Sequence, residues 1–305
     1  MKLLMCRGAV PSDRSYKEIM YNDIESETDL WTHIAHNLGD EVEILYYGKP
    51  ERKVRYNDKT TIVWTNNLRR YNCSFHPSHI WNRGGFEFFK PVLKRYKDAY
   101  LIYYGSGARY RPKDGIAYNL VLVDSERQLA KAGPNARLWI KPAIDTHFKY
   151  MPEVRKRYDV CYVGDCRFPF RAKIKGQKLA YQCPPDLKML HLGWSGKAKV
   201  PKNIKVKRVI KEEMPRFYNQ CKVLVAPYSS YDSAPRCIPE AIACNLMVIC
   251  LDGVNIWEAK YPVGWAGKNG FWDLVRLVCT AEEDVRDPDI SMKSAIDYLK
   301  GLINE

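Results

Sequence analysis

The apolar positions of this chain fall into short blocks with two different periods. Leu3-Leu-Met-Cys6, Thr60-Thr-Ile-Val-Trp64, Ala99-Tyr-Leu-Ile-Tyr-Tyr104 and Asn119-Leu-Val-Leu-Val123 are short, near-continuous runs, the pattern of strands buried in a parallel sheet. Glu41-Val-Glu-Ile-Leu-Tyr-Tyr47 reads as another strand. Before it, Leu30, Ile34 and Leu38 recur at helical spacing and stop at Gly39. After a polar segment, His147 to Tyr158 with Pro152 inside it, the rhythm starts afresh. Tyr158 to Gly164, Lys188 to Gly193 and Lys205 to Ile210 read as strands. Met214, Phe217 and Tyr218 then share a helical face, and Val223-Leu-Val-Ala-Pro227 follows as a strand. The chain closes on an amphipathic helical pattern from Ile290 to Ile303. Strands alternating with helices predict an α/β protein. Its 305 residues suggest two domains, 1–146 and 147–305, each large enough for its own core.

The most compact unit is Tyr228-Ser-Ser-Tyr-Asp232-Ser-Ala-Pro-Arg236-Cys-Ile-Pro239-Glu240-Ala-Ile-Ala-Cys-Asn245, held between Val223–Pro227 and Leu246–Cys250. It reads as strand, polar loop, short helix, strand, about the least space a βαβ unit can use. Pro239 suits a first helical turn, and Asn245 suits a left-handed helix stop. A loop at the carboxyl end of a parallel strand, feeding a helix N-terminus, attracts an anion. Asp232 and Glu240 stand eight apart beside it and can accept hydrogen bonds from hydroxyls. Phosphate plus hydroxyls describes a nucleotide sugar. The same two acids also suit a turn residue and a favourable first-turn charge.

This stretch resembles the Glu-seven-Glu signature of the retaining GT-B glycosyltransferases of glycosyltransferase family 4 (glycosyl transferases group 1). Two positions differ: Asp232 stands for the first Glu, and Asn245 for a Gly. Upstream, Gly164-Asp-Cys-Arg167-Phe-Pro-Phe-Arg171-Ala-Lys-Ile-Lys175-Gly176 resembles the family's Gly-Arg…Lys-Gly stretch, with Asp165 in place of the Arg and a longer loop. Lys211-Glu-Glu-Met-Pro-Arg-Phe-Tyr218 and Leu251-Asp-Gly-Val-Asn255 also match by position, and Pro142-Ala-Ile-Asp145 resembles the end of the family's first domain. The resemblance implies two Rossmann-like domains, acceptor-side first and nucleotide-sugar second, with the last helix crossing back to the first. It implies that Glu240 binds the donor ribose and Asp232 the transferred sugar. Arg167 or Arg171, with Lys173 or Lys175, would hold the diphosphate. Ser233, Ala234 and Arg236 would complete the donor site, and Arg7 and Gly8 would line the reacting end. No metal or separate cofactor is expected, because protein cations neutralise the leaving diphosphate.

Charge sharpens this picture. The net charge is +14, and it is concentrated. Arg52–Lys113 holds 14 basic and 3 acidic residues, and Arg167–Lys222 holds 15 and 3. Such windows suit a polyanion, an anionic membrane, the donor's own phosphates, or plain solvation. In the first, Arg83 in the basic, aromatic stretch Trp81–Lys90, Gly105 of Gly105-Ser-Gly, and Arg109 are acceptor-side candidates. Aromatics among cations suit stacking on bases or sugars, while core packing also accounts for Phe86 and Phe89. Cys73, His76 and His79 lack a fourth ligand for a metal. The ten cysteines form no Cys-x-x-Cys, and several sit inside apolar runs, which suggests free thiols in the cytosol. No run is long enough to span a membrane. The expected activity is transfer of a hexose or pentose from a nucleotide sugar to an acceptor. The acceptor is open between a nucleic acid, such as modified phage or viral DNA, and a glycan or lipid-linked molecule at a membrane. A non-catalytic binding protein on the same fold is the third reading.

Overall fold

The computed structural model describes residues 1–7, 30–48, 51–83, 87–105, 115–139, 142–144, 147–228, 235–251, 263–279 and 292–304. They group into two compact units: Met1–Trp139 with Ile296–Glu305, and Ile140–Ala295.

The first unit runs β1 (Lys2–Arg7), α1 (Leu30–Leu38), β2 (Glu41–Tyr47), β3 (Arg52–Arg55), β4 (Thr60–Thr65), β5 (His79–Arg83), α2 (Lys90–Arg95), β6 (Tyr100–Tyr104), β7 (Leu120–Val123), α3 (Glu126–Ala132) and β8 (Ala136–Leu138). The strands make one sheet in the order β3-β4-β2-β1-β5-β6-β7-β8. Only β3 is antiparallel to its neighbour. β1 lies between β2 and β5, in register Met5↔Ile44 and Met5↔Trp81. A strand so placed is covered on both faces, so Leu3 to Cys6 carry no exposed surface. α1 turns Trp31, Ile34, Ala35 and Leu38 inward and closes at Gly39, whose N–H donates to the Ala35 carbonyl at 2.9 Å. Ser125 caps α3 by accepting the Gln128 N–H at 3.4 Å.

Two segments depart from the sequence reading. Arg52-Lys-Val-Arg55 is an edge strand, and its three cations blunt that edge. Trp81 is not a loop aromatic, whereas Phe89 packs in the core, as one of the sequence readings has it. β5 is an inner strand between β1 and β6, so Trp81 and Asn82 are fully buried. Trp81 packs with Trp31 and Trp139 at ring separations of 6.1 and 5.6 Å, and Phe89 belongs to the opposite core.

The second unit runs β9 (Tyr158–Asp165), α4 (Pro169–Ile174), α5 (Gln177–Ala180), β10 (Met189–Trp194), β11 (Ile204–Lys207), α6 (Met214–Asn219), β12 (Cys221–Ala226), α7 (Cys237–Ala243), β13 (Met247–Leu251), β14 (Val263–Ala266) and α8 (Phe271–Cys279). Its sheet is parallel throughout, in the order β11-β10-β9-β12-β13-β14. Asn219 ties the entry segment down: it accepts the Met151 N–H at 2.7 Å and donates to the Lys149 carbonyl at 2.9 Å. The final helix, α9 (Met292–Asn304), buries Ile296, Leu299, Leu302 and Ile303. All ten cysteines are free thiols, nine of them buried. Among the described residues no helix is long and apolar enough to cross a membrane.

Candidate active site

Chain order in the second sheet reverses between β9 and β12. From β9 the chain steps outward to β10 and β11, then returns to β12 on the other side. The carboxyl ends of β9 and β12 therefore flank a topological switch point, where open α/β sheets take ligands. The Gly164–Gly176 stretch leaves one of these ends and the Pro227–Asn245 stretch leaves the other.

The two stretches are fastened together. Gly176 has φ +64°, and a Cβ there would lie 1.7 Å from the Pro227 carbonyl oxygen, so only glycine permits the approach. The Tyr162 hydroxyl donates to the Lys175 carbonyl at 2.9 Å, and the buried Tyr228 hydroxyl donates to the Val163 carbonyl at 2.7 Å. Lys175 Nζ then sits 4.5 Å from the Tyr228 ring centre, within cation–π range. On the other flank, buried His191 fixes the end of β9. Its Nε2–H donates to the Gly164 carbonyl at 2.9 Å, while Nδ1 accepts from the Tyr181 hydroxyl at 2.8 Å. Burial holds this imidazole below its ordinary pKa, which keeps it neutral in that tautomer.

Glu240 lies in the first turn of α7. The Tyr218 hydroxyl, fully buried on α6, donates to its Oε2 at 3.2 Å. The residue keeps some accessible surface, but its carboxyl lies in a dense surround. Burial pushes it above the ordinary carboxylate range, against the opposing pull of Arg236, Lys211 and the Tyr218 hydrogen bond. The helix ends as the sequence suggests. Asn245 adopts φ 60°, and the Leu246 N–H reaches the Ala241 carbonyl at 3.0 Å while the Asn245 N–H reaches that of Ile242 at 2.8 Å, a Schellman closure.

Arg167 and Arg171 converge on Asp165, the last residue of β9. Asp165 accepts Arg167 Nε at 2.9 Å, Arg167 Nη2 at 2.8 Å and Arg171 Nη1 at 2.8 Å. The Arg167 guanidinium also packs 4.9 Å from the Trp194 ring centre, and Arg208 covers the same ring at 3.1 Å. None of the residues of α4 is buried, and Phe168 and Phe170 beside these arginines are exposed. Lys173 is exposed on α4, so of the two lysines it is Lys175 that meets the Tyr228 ring. Tyr218, Tyr228, His191 and Trp194 were not singled out from the sequence. Only the first carried a signal, its helical spacing.

In the first unit, Arg7 ends β1 almost fully buried, its guanidinium 4.9 Å from the Tyr46 ring centre and hydrogen-bonded to the Tyr46 hydroxyl. Tyr46 stacks on Trp64, and Arg52 covers Trp64 from the next strand. Arg83 ends β5, and Gly105 follows β6 with its N–H directed to the Leu122 carbonyl at 3.4 Å. Gly8, Arg109, Asp232, Ser233 and Ala234 lie outside the described residues, as does the Asp252–Asn255 stretch. Among the described residues no group of His, Cys, Asp or Glu is arranged to hold a metal.

No family model and no curated protein matches the chain by sequence. Solved structures do match it in shape. A glycosyltransferase of avilamycin A biosynthesis, AviGT4, is 12% identical over 100% of this chain and 97% of its own, with a TM-score of 0.68. Anabaena HepE, solved with UDP and glucose, is 10% identical over the full length of both chains, at 0.66. Sucrose-phosphate synthase from Thermosynechococcus elongatus is 11% identical over 99% of this chain and 94% of its own, at 0.64. The chain has the GT-B fold. The fold expected from the Asp232…Glu240 resemblance is thus borne out over the whole chain.

Proposed function

We propose that the protein is a retaining glycosyltransferase that takes its sugar from a nucleotide-sugar donor. The observation that carries this reading is the fastening of Lys175-Gly176 against Pro227-Tyr228 at the switch point, with Glu240 in the first turn of the helix that follows. A cation and an acid from separate stretches are set at one sheet end. In this reading the Glu240 carboxylate accepts hydrogen bonds from the donor ribose, and Asp232 addresses the hydroxyls of the transferred sugar. Lys175, with Arg171 and Arg167, neutralises the diphosphate as the bond to sugar C1 breaks. HepE was solved with UDP and glucose, which puts uridine donors first in a screen.

For the acceptor, the exposed Phe168 and Phe170, with exposed Lys173 on the same short helix as Phe170, favour a polyanion with flat bases. Aromatic faces would stack on bases and the lysine would meet a phosphate. Binding to such an acceptor should weaken steeply with salt.

The test is thermal stability of the full chain against nucleoside diphosphates and their sugars, in wild type and Glu240→Ala. A ligand at a hundredfold over its Kd adds about 2.7 kcal/mol. Stabilisation by one nucleotide in wild type, and its loss in the variant, is the expected result. A flat response to every nucleotide sinks the reading.

A further inference from the structure

We propose that Asp165 is an internal anion that occupies the phosphate-binding donors of Arg167 and Arg171 and competes for them with a bound diphosphate. It thereby hastens loss of the nucleoside diphosphate left after transfer. The second half rests on the donor reading above; the first does not.

The geometry is that of a clamp already filled. Arg167 presents Nε and Nη2 as a fork to the two oxygens of one carboxylate, at 2.9 and 2.8 Å. Arg171 adds a third N–H at 2.8 Å. A guanidinium fork meets phosphate and carboxylate alike, so the same donors suit an incoming phosphoryl group. Neither the acid nor the arginines are sealed in. The Asp165 side chain is 26% exposed, and those of Arg167 and Arg171 are 39% and 48% exposed. A ligand can therefore reach the guanidiniums from solvent.

Arg167 has a second support besides the carboxylate, whereas Arg171 is held by Asp165. Trp194 supports Arg167 on a second side. The backbone under Asp165 is held by the His191 bond to Gly164 and by the Cys166 N–H bond to the Trp194 carbonyl at 2.8 Å. Gly193 permits this close seam: a Cβ there would lie 2.2 Å from the Gly164 oxygen. The orientation of Arg167 and of the backbone beneath it thus has sources other than the acid. Two guanidiniums less one carboxylate leave this trio a single net positive charge.

The consequence differs between donor and product. Transfer forms a bond from an acceptor oxygen to sugar C1 and breaks the bond from C1 to the β-phosphate oxygen. The electron pair stays on that phosphate, and the acceptor's proton passes to solvent. The product diphosphate therefore carries more negative charge than the donor, and a fixed carboxylate opposes it more strongly.

The experiment measures binding of inorganic pyrophosphate, UMP and UDP to the full chain by calorimetry, in wild type, Asp165→Asn, Asp165→Ser and Asp165→Glu. An exposed charge pair is worth up to about 1 kcal/mol, or about fivefold in affinity. Asp165→Asn and Asp165→Ser should bind pyrophosphate about fivefold tighter than wild type, with the gap closing in high salt. Asp165→Glu should stay near wild type, and UMP should change less than UDP. Unchanged or weaker pyrophosphate binding in whichever uncharged variant folds would overturn the proposal and make Asp165 a scaffold for the arginines. If pyrophosphate tightens but no nucleotide binds wild type, the donor reading fails and the clamp stands. If UDP binds wild type and neither uncharged variant tightens it, the clamp fails and the donor reading stands.

Discussion

Glu43 and Glu240 are both acids set against the interior of a parallel sheet, one in each unit, and the protein surrounds them in opposite ways. Glu43, on β2, has no exposed surface. It accepts from the Tyr71 hydroxyl, from the Ser74 N–H at 3.3 Å and from the Ser74 hydroxyl at 2.6 Å, and Lys53 Nζ lies 3.6 Å away. Glu240 has one hydrogen-bond donor among the described residues, Tyr218, and retains accessible surface. An acid with its lone pairs filled by the protein has nothing left for a ligand; it pins the Tyr71–Ser74 loop to the sheet. An acid raised in pKa by burial, with room left on its oxygens, gains from any hydroxyl that arrives. Burial of a carboxylate is therefore uninformative alone, and the count of donors separates anchor from site.

The largest effect should come from breaking the anchor. Glu43→Ala strands the buried Tyr71 hydroxyl and frees the exposed Ser74 to water, and removing one partner of such a buried network costs about 3 kcal/mol. Denaturant unfolding should show that loss, while nucleotide affinity of the folded protein stays as in wild type. If affinity falls with it, the two acids are not separate in role.

A smaller, pH-dependent effect belongs to Glu240. Its folded pKa lies above the ordinary value of 4.5 because of burial, so the folded protein binds a proton the unfolded chain has released. From about pH 4.5 up to the raised value, stability of the free protein falls as pH rises. Glu240→Gln removes that slope and is more stable than wild type at neutral pH. Donor binding runs the other way, because the anion is the better acceptor of ribose hydroxyls. Nucleotide affinity should drop as pH falls through the raised value, and the Gln variant should bind weakly without that step. A wild-type binding curve flat over the same range would remove Glu240 from the ribose.

Much of this was legible in the chain. The buried strands announced themselves as apolar runs because both faces of an inner parallel strand are covered. The α7 stop was legible in Asn245. β3 was not, since Arg52-Lys-Val-Arg55 at an edge has one face of solvent and no apolar period. β5 was misread because Trp81-Asn-Arg83 looks polar, although Asn82 is buried and donates to the Tyr118 hydroxyl at 2.6 Å. α8 carries a readable signal in Phe271, Val275 and Cys279. The site was legible in its ingredients and not in its pairings. Nothing local tells that Tyr218 serves Glu240 from another helix, or that Asp165 takes both arginines. Those pairings come from the strand crossings that bring distant stretches to one sheet end.

The finest test concerns the backbone that carries Glu240. At Asn245, with φ 60°, a Cβ meets the following carbonyl, a strain of roughly 1–2 kcal/mol for ordinary residues and none for glycine. Asn245→Ala and Asn245→Gly both remove the same side-chain polar group, so their difference isolates the backbone. Glycine should exceed alanine by about 1 kcal/mol in unfolding free energy. Both should bind nucleotide like wild type if the closure only ends the helix. Equal stability of the two would mean the left-handed turn opens freely. A loss of nucleotide affinity in alanine, restored in glycine, would mean that the closure holds Glu240 in place, so that part of the contrast with Glu43 lies in the backbone beneath the acid rather than in its donors.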